Sequence, residues 1–144
     1  MNDVVNITRA FDFAARKHTN LAVAGLLHDC VEDQGVRPED LVDLFGSDVT
    51  DLVLEVTDDK NLEKDERKRL QVTETPHKSN RAKMLKMADK TSNLRSIAAS
   101  PPKDWSAARR REYFEWAKAV VAGCGDASEV LKAQFDEAYR SGIA

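Results

Sequence analysis

The stretch from Leu21 to Asp33, LAVAGLLHDCVED, constrains this chain more than any other. It reads as a nearly all-apolar helix until His28, Asp29, Glu32 and Asp33 appear. His28 and Glu32 are four apart, as are Asp29 and Asp33. At about 3.6 residues per turn, each pair stacks along one line of the helix surface. The two lines lie about 100° apart, so all four side chains emerge on one sector. A helix this apolar must be covered by other elements. Burying an imidazole or a carboxylate is costly unless it is paired or bound to a metal. Four such groups together on a core helix mark a site.

The other segments show helical periodicity and short connections. Val4 to Arg16 carries one apolar face and closes on the basic Arg16-Lys17-His18, which suits a helix C-terminus. Thr19 and Asn20 offer an N-cap for the central helix, which Gly35 ends. No Gly or Pro turns the chain between these two helices, an unusual junction. Pro38 opens a helix that runs to Phe45 and stops at Gly46, and Ser47 caps the next. A charged surface helix spans Lys64 to Thr73, ended by Pro76. Ser79 caps Asn80 to about Ser96, Ser106 caps a helix to Ala122, and a last helix spans Ser128 to Tyr139. No strand-like alternation or internal repeat is present, so the fold class is all-α.

With 144 residues the chain is one domain's worth, enough for a real core. A net charge of −3 argues against non-specific nucleic-acid binding. No apolar run approaches the ~20 residues of a membrane span, and the N-terminus lacks a signal-peptide pattern. Cys30 and Cys124 form neither a disulfide framework nor a CxxC metal site; Cys30 is expected as a buried free thiol. These features predict a cytoplasmic, reduced, single-domain protein with no membrane or nucleic-acid partner.

A second acidic position lies in Asn80–Ser96. Its apolar stripe is Met84, Met87, Ala88, Thr91 and Leu94, with Asp89 and Asn93 along the border and Lys86 one turn before Asp89. Alone, Asp89 reads as a solvated helix edge in contact with Lys86 or Lys90. Paired with the His28-Asp29 helix it reads differently. Carboxylates and an imidazole from separate helices of a bundle make a natural metal site. Mixed nitrogen and oxygen donors suit Mn²⁺, Fe²⁺ or Zn²⁺, and a carboxylate-rich site open to water leans toward Mn²⁺. Glu32 and Asp33 lie near a helix C-terminus, where the dipole disfavours them and a cation would compensate.

His28-Asp29 followed by a distant Asp89 resembles the pattern of HD-domain metal-dependent phosphohydrolases. Leu26 to Asp33, Val56 to Lys60, Glu66 to Gln71, Arg81 to Lys90, Asn93 to Arg95 and Tyr113 to Ala117 resemble the hydrolase domain of the RelA/SpoT family. Their order and spacing are most similar to the small stand-alone alarmone hydrolases, the metazoan SpoT homologue type. The resemblance spans essentially the whole chain. It implies an HD-domain helical bundle that removes the 3′-pyrophosphate of guanosine tetra- or pentaphosphate, usually with Mn²⁺. It makes His28, Asp29 and Asp89 metal ligands, and gives Glu32 and Asp33 the task of positioning and deprotonating water. Lys64, Asn93, Arg109 and Tyr113 match positions that contact the nucleotide or its phosphates. Arg16 and Lys17 match a basic pair near the guanine and ribose end.

Each of these residues also has a plainer reading. Arg109 belongs to an Arg109-Arg110-Arg111 run that suits a solvated face, Tyr113 at helical spacing from Trp116 suits a core, and nothing in its spacing singles out Lys64. His77, after Pro76 in a loop, is expected to be structural or exposed. Two rival functions are an HD phosphohydrolase for another nucleotide, such as NADPH, and a degenerate module that binds an alarmone without cleaving it. With no synthetase-sized extension, hydrolysis alone is expected, in a monomer or a homo-oligomer.

The family pattern breaks at one place. Its basic loop, its first metal histidine and a helix have no counterpart between His18 and Thr19, the junction already singled out. A deletion there leaves His28, Asp29 and Asp89 as the ligands and weakens the metal site. Alternatively, the protein carries residues at this point beyond the 144 printed. Loss of a packed helix would bare the core faces of its neighbours, which favours the alternative.

Overall fold

The computed structural model describes residues 19–25, 27, 28 and 34–143. No strand occurs among the described residues, as the periodicity predicts. The chain divides into two compact units, Met1–Thr57 and Asp58–Ala144.

In the first unit, residues 19–25 and 27–28 are helical (α1). Thr19 and Asn20 are themselves helical, which corrects the expected N-cap. Asn20 Nδ2 instead donates to Asp48 Oδ2 at 2.8 Å, a tertiary tie that sequence spacing cannot show. The expected helix Val4–Arg16, its junction with α1 and Cys30 lie outside the described residues. Helix α2 spans Pro38–Phe45 and α3 spans Ser47–Val56. Pro38 sits in the first turn of α2, where its missing N–H costs nothing, and Arg37 grips Asp40 with two bonds of 3.1 and 3.0 Å. Gly46 alone joins the helices. Its φ of 87° is open to glycine, and its N–H closes α2 on Val42 O at 2.9 Å. Ser47 does not cap α3: Gly46 holds the N-cap position and Ser47 is already helical. Leu41, Val49, Leu52, Val53 and Val56 are buried.

In the second unit, α4 spans Lys64–Glu74 and buries no residue fully, in keeping with its charged sequence. It continues into a 3₁₀ turn at Thr75–His77, with His77 exposed as expected. Helix α5 spans Asn80–Ala99, three residues past its expected end, and Ser79 Oγ accepts from Ala82 N at 3.2 Å. Helix α6 spans Ala107–Ala122, and Ser106 Oγ accepts from Arg109 N at 3.1 Å. Both caps fulfil the sequence expectation. Gly123 lets the end of α6 approach the 3₁₀ turn, for a Cβ there would lie 3.0 Å from Pro76 Cδ. Helix α7 spans Glu129–Ile143, and Ser128 Oγ accepts from Leu131 N at 3.2 Å.

The core of this unit joins Met87, Leu94 and Ile97 of α5, Phe114, Ala117 and Val121 of α6, Phe135 and Ala138 of α7, and Cys124. Burying each large side chain contributes about 1.5–3 kcal/mol. Met87, Thr91 and Leu94 follow the expected stripe, but Ala88 is exposed. Lys86 and Lys90 are buried instead, at 5% and 4% exposure. The α5 surface that packing covers is therefore displaced from the apolar stripe and takes in two ammonium groups.

Candidate active site

His28 lies on α1 in the first unit and is half-buried. Its Nδ1 donates to Gly25 O at 2.6 Å. A carbonyl can only accept, so Nδ1 carries the proton, and in a neutral ring this tautomer puts the lone pair on Nε2. Metal-binding histidines use the same backbone anchor to orient the ring. Asp29, Glu32, Asp33, Arg16 and Lys17 lie outside the described residues.

Asp89 lies on α5 in the second unit, and its side chain is 27% exposed. Oδ2 pairs with Lys90 Nζ at 3.1 Å. The contact with Lys90 is the one foreseen for a helix edge, but the setting is not a solvated edge. Lys90 is almost fully covered, and its ammonium stands 4.4 Å from the centre of the Trp116 ring on α6. Lys86, one turn earlier, has its pKa pushed down by burial and by Lys90, against the pull of Asp58 and Asp89. Asp58 in turn accepts from Gln71 Nε2 at 2.5 Å. Asp89 thus sits in a partly covered setting beside two buried lysines.

One turn along α5, Asn93 Nδ2 donates to the Tyr113 hydroxyl at 3.0 Å. Burial pushes the Tyr113 pKa up, so the phenol stays protonated at neutral pH. Tyr113 belongs to a row of three aromatic rings. Its ring centre is 5.6 Å from that of Trp105 and 5.2 Å from that of Trp116, the second in edge-to-face geometry. Trp116 Nε1 donates to Lys68 O at 3.0 Å, which fastens α6 to α4. Cations lie along the row: Arg109 is 4.6 Å from the Trp105 ring, and Lys68 is 5.1 Å from Trp116 and 5.8 Å from Tyr113. Burial, then Lys64 one turn before it on α4 and Arg109, lower the Lys68 pKa.

The second unit therefore brings together Asp89, Asn93, Tyr113 and Arg109, with Lys64 near enough to act electrostatically on their surroundings. The plainer readings of two of them hold in part: Arg109 is exposed but also lies against the Trp105 ring, and Tyr113 packs on the core while Asn93 holds its hydroxyl. Sequence reasoning passed over Lys68 and Trp105, and it named Lys90 and Trp116 only as a surface contact and a core neighbour. The Tyr113–Trp116 spacing was a usable signal, since residues three apart share a helix face. The lysines gave none, because cation–π contacts between helices depend on packing.

Residues 5–115 match the HD domain family. The chain is 44% identical over 141 residues to guanosine-3′,5′-bis(diphosphate) 3′-pyrophosphohydrolase MESH1 of Drosophila melanogaster, covering 97% of this chain and 79% of that protein. It is 37% identical to MESH1 of Homo sapiens over 171 residues, covering 96% of each. That match is longer than the 144 residues of this chain, so the human protein has residues within it that face no counterpart here. Among solved structures, a metazoan ortholog of SpoT that hydrolyzes ppGpp and plays a role in starvation responses superposes with a TM-score of 0.82. It is 46% identical, covering 88% of this chain and 71% of that one. Lmo0812 from Listeria monocytogenes, 24% identical with a TM-score of 0.71, shares the fold. The chain belongs to the HD-domain family, within its MESH1 group.

Proposed function

We propose that this chain is a metal-dependent (p)ppGpp 3′-pyrophosphohydrolase that yields GDP or GTP and pyrophosphate. The observation that carries the reading is the second-unit cluster. There a partly buried carboxylate, a phenol held by an amide, and cations on an aromatic row come from α4, α5 and α6. The set suits a nucleotide with several phosphates, and the MESH1 relatives carry the same activity in their names.

His28, Asp29 and Asp89 would hold the metal. The His28 tautomer and the half-covered Asp89 carboxylate fit a divalent cation of the Mn²⁺, Fe²⁺ or Zn²⁺ kind, and the oxygen-rich set favours Mn²⁺. When bound, the metal supplies Lewis-acid polarisation of the phosphoryl oxygens. Glu32 and Asp33 position the attacking water and take its proton as oxygen adds to the phosphorus on the 3′ oxygen. The bond from that phosphorus to the 3′ oxygen breaks, pyrophosphate leaves, and the 3′ oxygen regains a proton as hydroxyl. Lys64 and Arg109 offset charge on the phosphate oxygens. Asn93 and Tyr113 hold the nucleotide, and Arg16 and Lys17 serve its guanine and ribose end.

In this reading the chain is one cytoplasmic HD-type hydrolase domain, monomeric or dimeric, lacking a loop and a helix between His18 and Thr19. Incubation of ppGpp with protein and Mn²⁺ should release GDP and pyrophosphate, and Asp89→Ala should abolish the release. No release above the Asp89→Ala background would refute the reading. The same absent segment favours one rival, a module that binds the alarmone without cleaving it. Tight ppGpp binding with no turnover under any of the three metals would establish that rival.

A further inference from the structure

Lys68 has no part in the roles assigned above, yet its surroundings are arranged around charge. No carboxylate among the described residues forms an ion pair with Nζ, and Asp65 and Glu112 act on it only at longer range. The ammonium is held against the Trp116 and Tyr113 rings, which themselves pack on Trp105 and its Arg109. Lys68 is partly desolvated, and burial followed by repulsion from Lys64 and Arg109 favours loss of its proton. Like charges held within reach of one another without carboxylate partners cost free energy, and an anion with several charges repays it. Aromatic faces fix the direction of such cations without neutralising them, as a carboxylate would.

We propose that Lys68 is a further phosphate-binding residue, completing with Lys64 and Arg109 a cradle for one diphosphate group of the nucleotide. This rests on the function proposed above. It deepens it by naming a specificity determinant: the cradle prefers a pyrophosphoryl group to a single phosphate, because three separate cations match its spread of charge. Lys68 reaches the cradle from α4, whereas Arg109 comes from α6. Affinity for diphosphate is thereby coupled to the α4–α6 contact that Trp116 secures.

Lys68→Met tests the assignment, because it keeps an apolar stem on Trp116 and removes only the charge. With ppGpp it should raise KM about tenfold and lower kcat by less, the mark of lost uniform binding. Lys68→Arg, which keeps both charge and ring stacking, should stay within about threefold of the wild type in KM. A binding readout independent of turnover is available. The chain's two tryptophans, Trp105 and Trp116, both line the cradle. Inorganic pyrophosphate titrated into metal-free wild type should change their fluorescence, and Lys68→Met should bind about tenfold more weakly while unfolding in the same cooperative transition. Wild-type KM and wild-type pyrophosphate affinity in Lys68→Met would overturn the proposal. If the wild type does not cleave ppGpp, the function proposed above fails. The pyrophosphate titration then decides the cradle alone, weaker binding by Lys68→Met upholding it and equal binding refuting it.

Discussion

Trp116→Phe probes the joint on which the second unit's cluster rests. The indole makes three kinds of contact that a phenyl ring loses or weakens. Its Nε1–H donates to Lys68 O at 3.0 Å, and a hydrogen bond of this kind contributes about 1 kcal/mol net. Lys90, nearly covered, lies 4.4 Å from its ring centre, and Lys68 lies 5.1 Å away. The weaker quadrupole of phenylalanine forfeits about 0.5–1 kcal/mol of cation–π attraction over the two. The lost second ring leaves a void at a half-buried position, roughly another 0.5–1 kcal/mol. The carbonyl of Lys68 keeps its place inside α4, so no buried acceptor is orphaned. The total is about 2–3 kcal/mol. For a chain of this length that lowers Tm by roughly 6–10 °C. Thermal unfolding followed by circular dichroism at 222 nm measures it. The double variant Trp116→Phe/Lys90→Met should be destabilised less than the two single changes add up to, by roughly 0.5–1 kcal/mol of coupling between contacting groups. A fall of less than about 2 °C, or strict additivity with Lys90→Met, would refute the view that Trp116 holds α4, α5 and α6 together.

Removing the metal with a chelator should abolish ppGpp hydrolysis, and Mn²⁺ should restore it to the wild type but not to Asp89→Ala, as followed by GDP release. Tyr113→Phe leaves Asn93 Nδ2 without its acceptor at 3.0 Å and should cost about 1 kcal/mol in denaturant unfolding, together with a several-fold rise in KM. Phe135→Ala, at 1% exposure in the core of the second unit, should cost about 3–5 kcal/mol in the same assay. Burial pushes the Cys124 thiol from 9.0 up to about 11, with Lys83 and Lys86 opposing the shift. A group whose folded pKa is raised contributes stability that is full below its unfolded value and lost as pH rises through the folded one. Stability should therefore decline between pH 9 and about 11, less steeply in Cys124→Ala. The residual slope combines Tyr113 and Tyr139, whose pKa values are also raised, with the opposing rise from Lys68 and Lys86, whose pKa values are lowered. In a Cys30→Ser background, Cys124 should resist thiol reagents at pH 8 until the protein is unfolded.

The sequence by itself determined the fold class and most helix boundaries, because these depend on local chemistry. Pro38, Gly46, Ser79 and Ser106 act on the turn in which they stand, and each does in the structure what its type and position imply. Periodicity also identified the α5 positions Met87, Thr91 and Leu94 as core. His28 and Asp89 were legible as a chemical pattern, since a histidine and a carboxylate on amphipathic helices are expensive without a purpose. Only tertiary structure decided what surrounds Asp89. Burial of Lys86 and Lys90 contradicts what residue type alone suggests, because a lysine's long stem can be covered by neighbouring helices while its ammonium finds an aromatic face or a carboxylate. Asn20 illustrates the same limit: its type suggested a cap, and packing gave it to Asp48 instead. The aromatic row and its cations come from α4, α5, α6 and the loop before α6, separated by up to 48 positions along the chain. No local pattern encodes a contact between residues so far apart, and it exists only once the helices are packed.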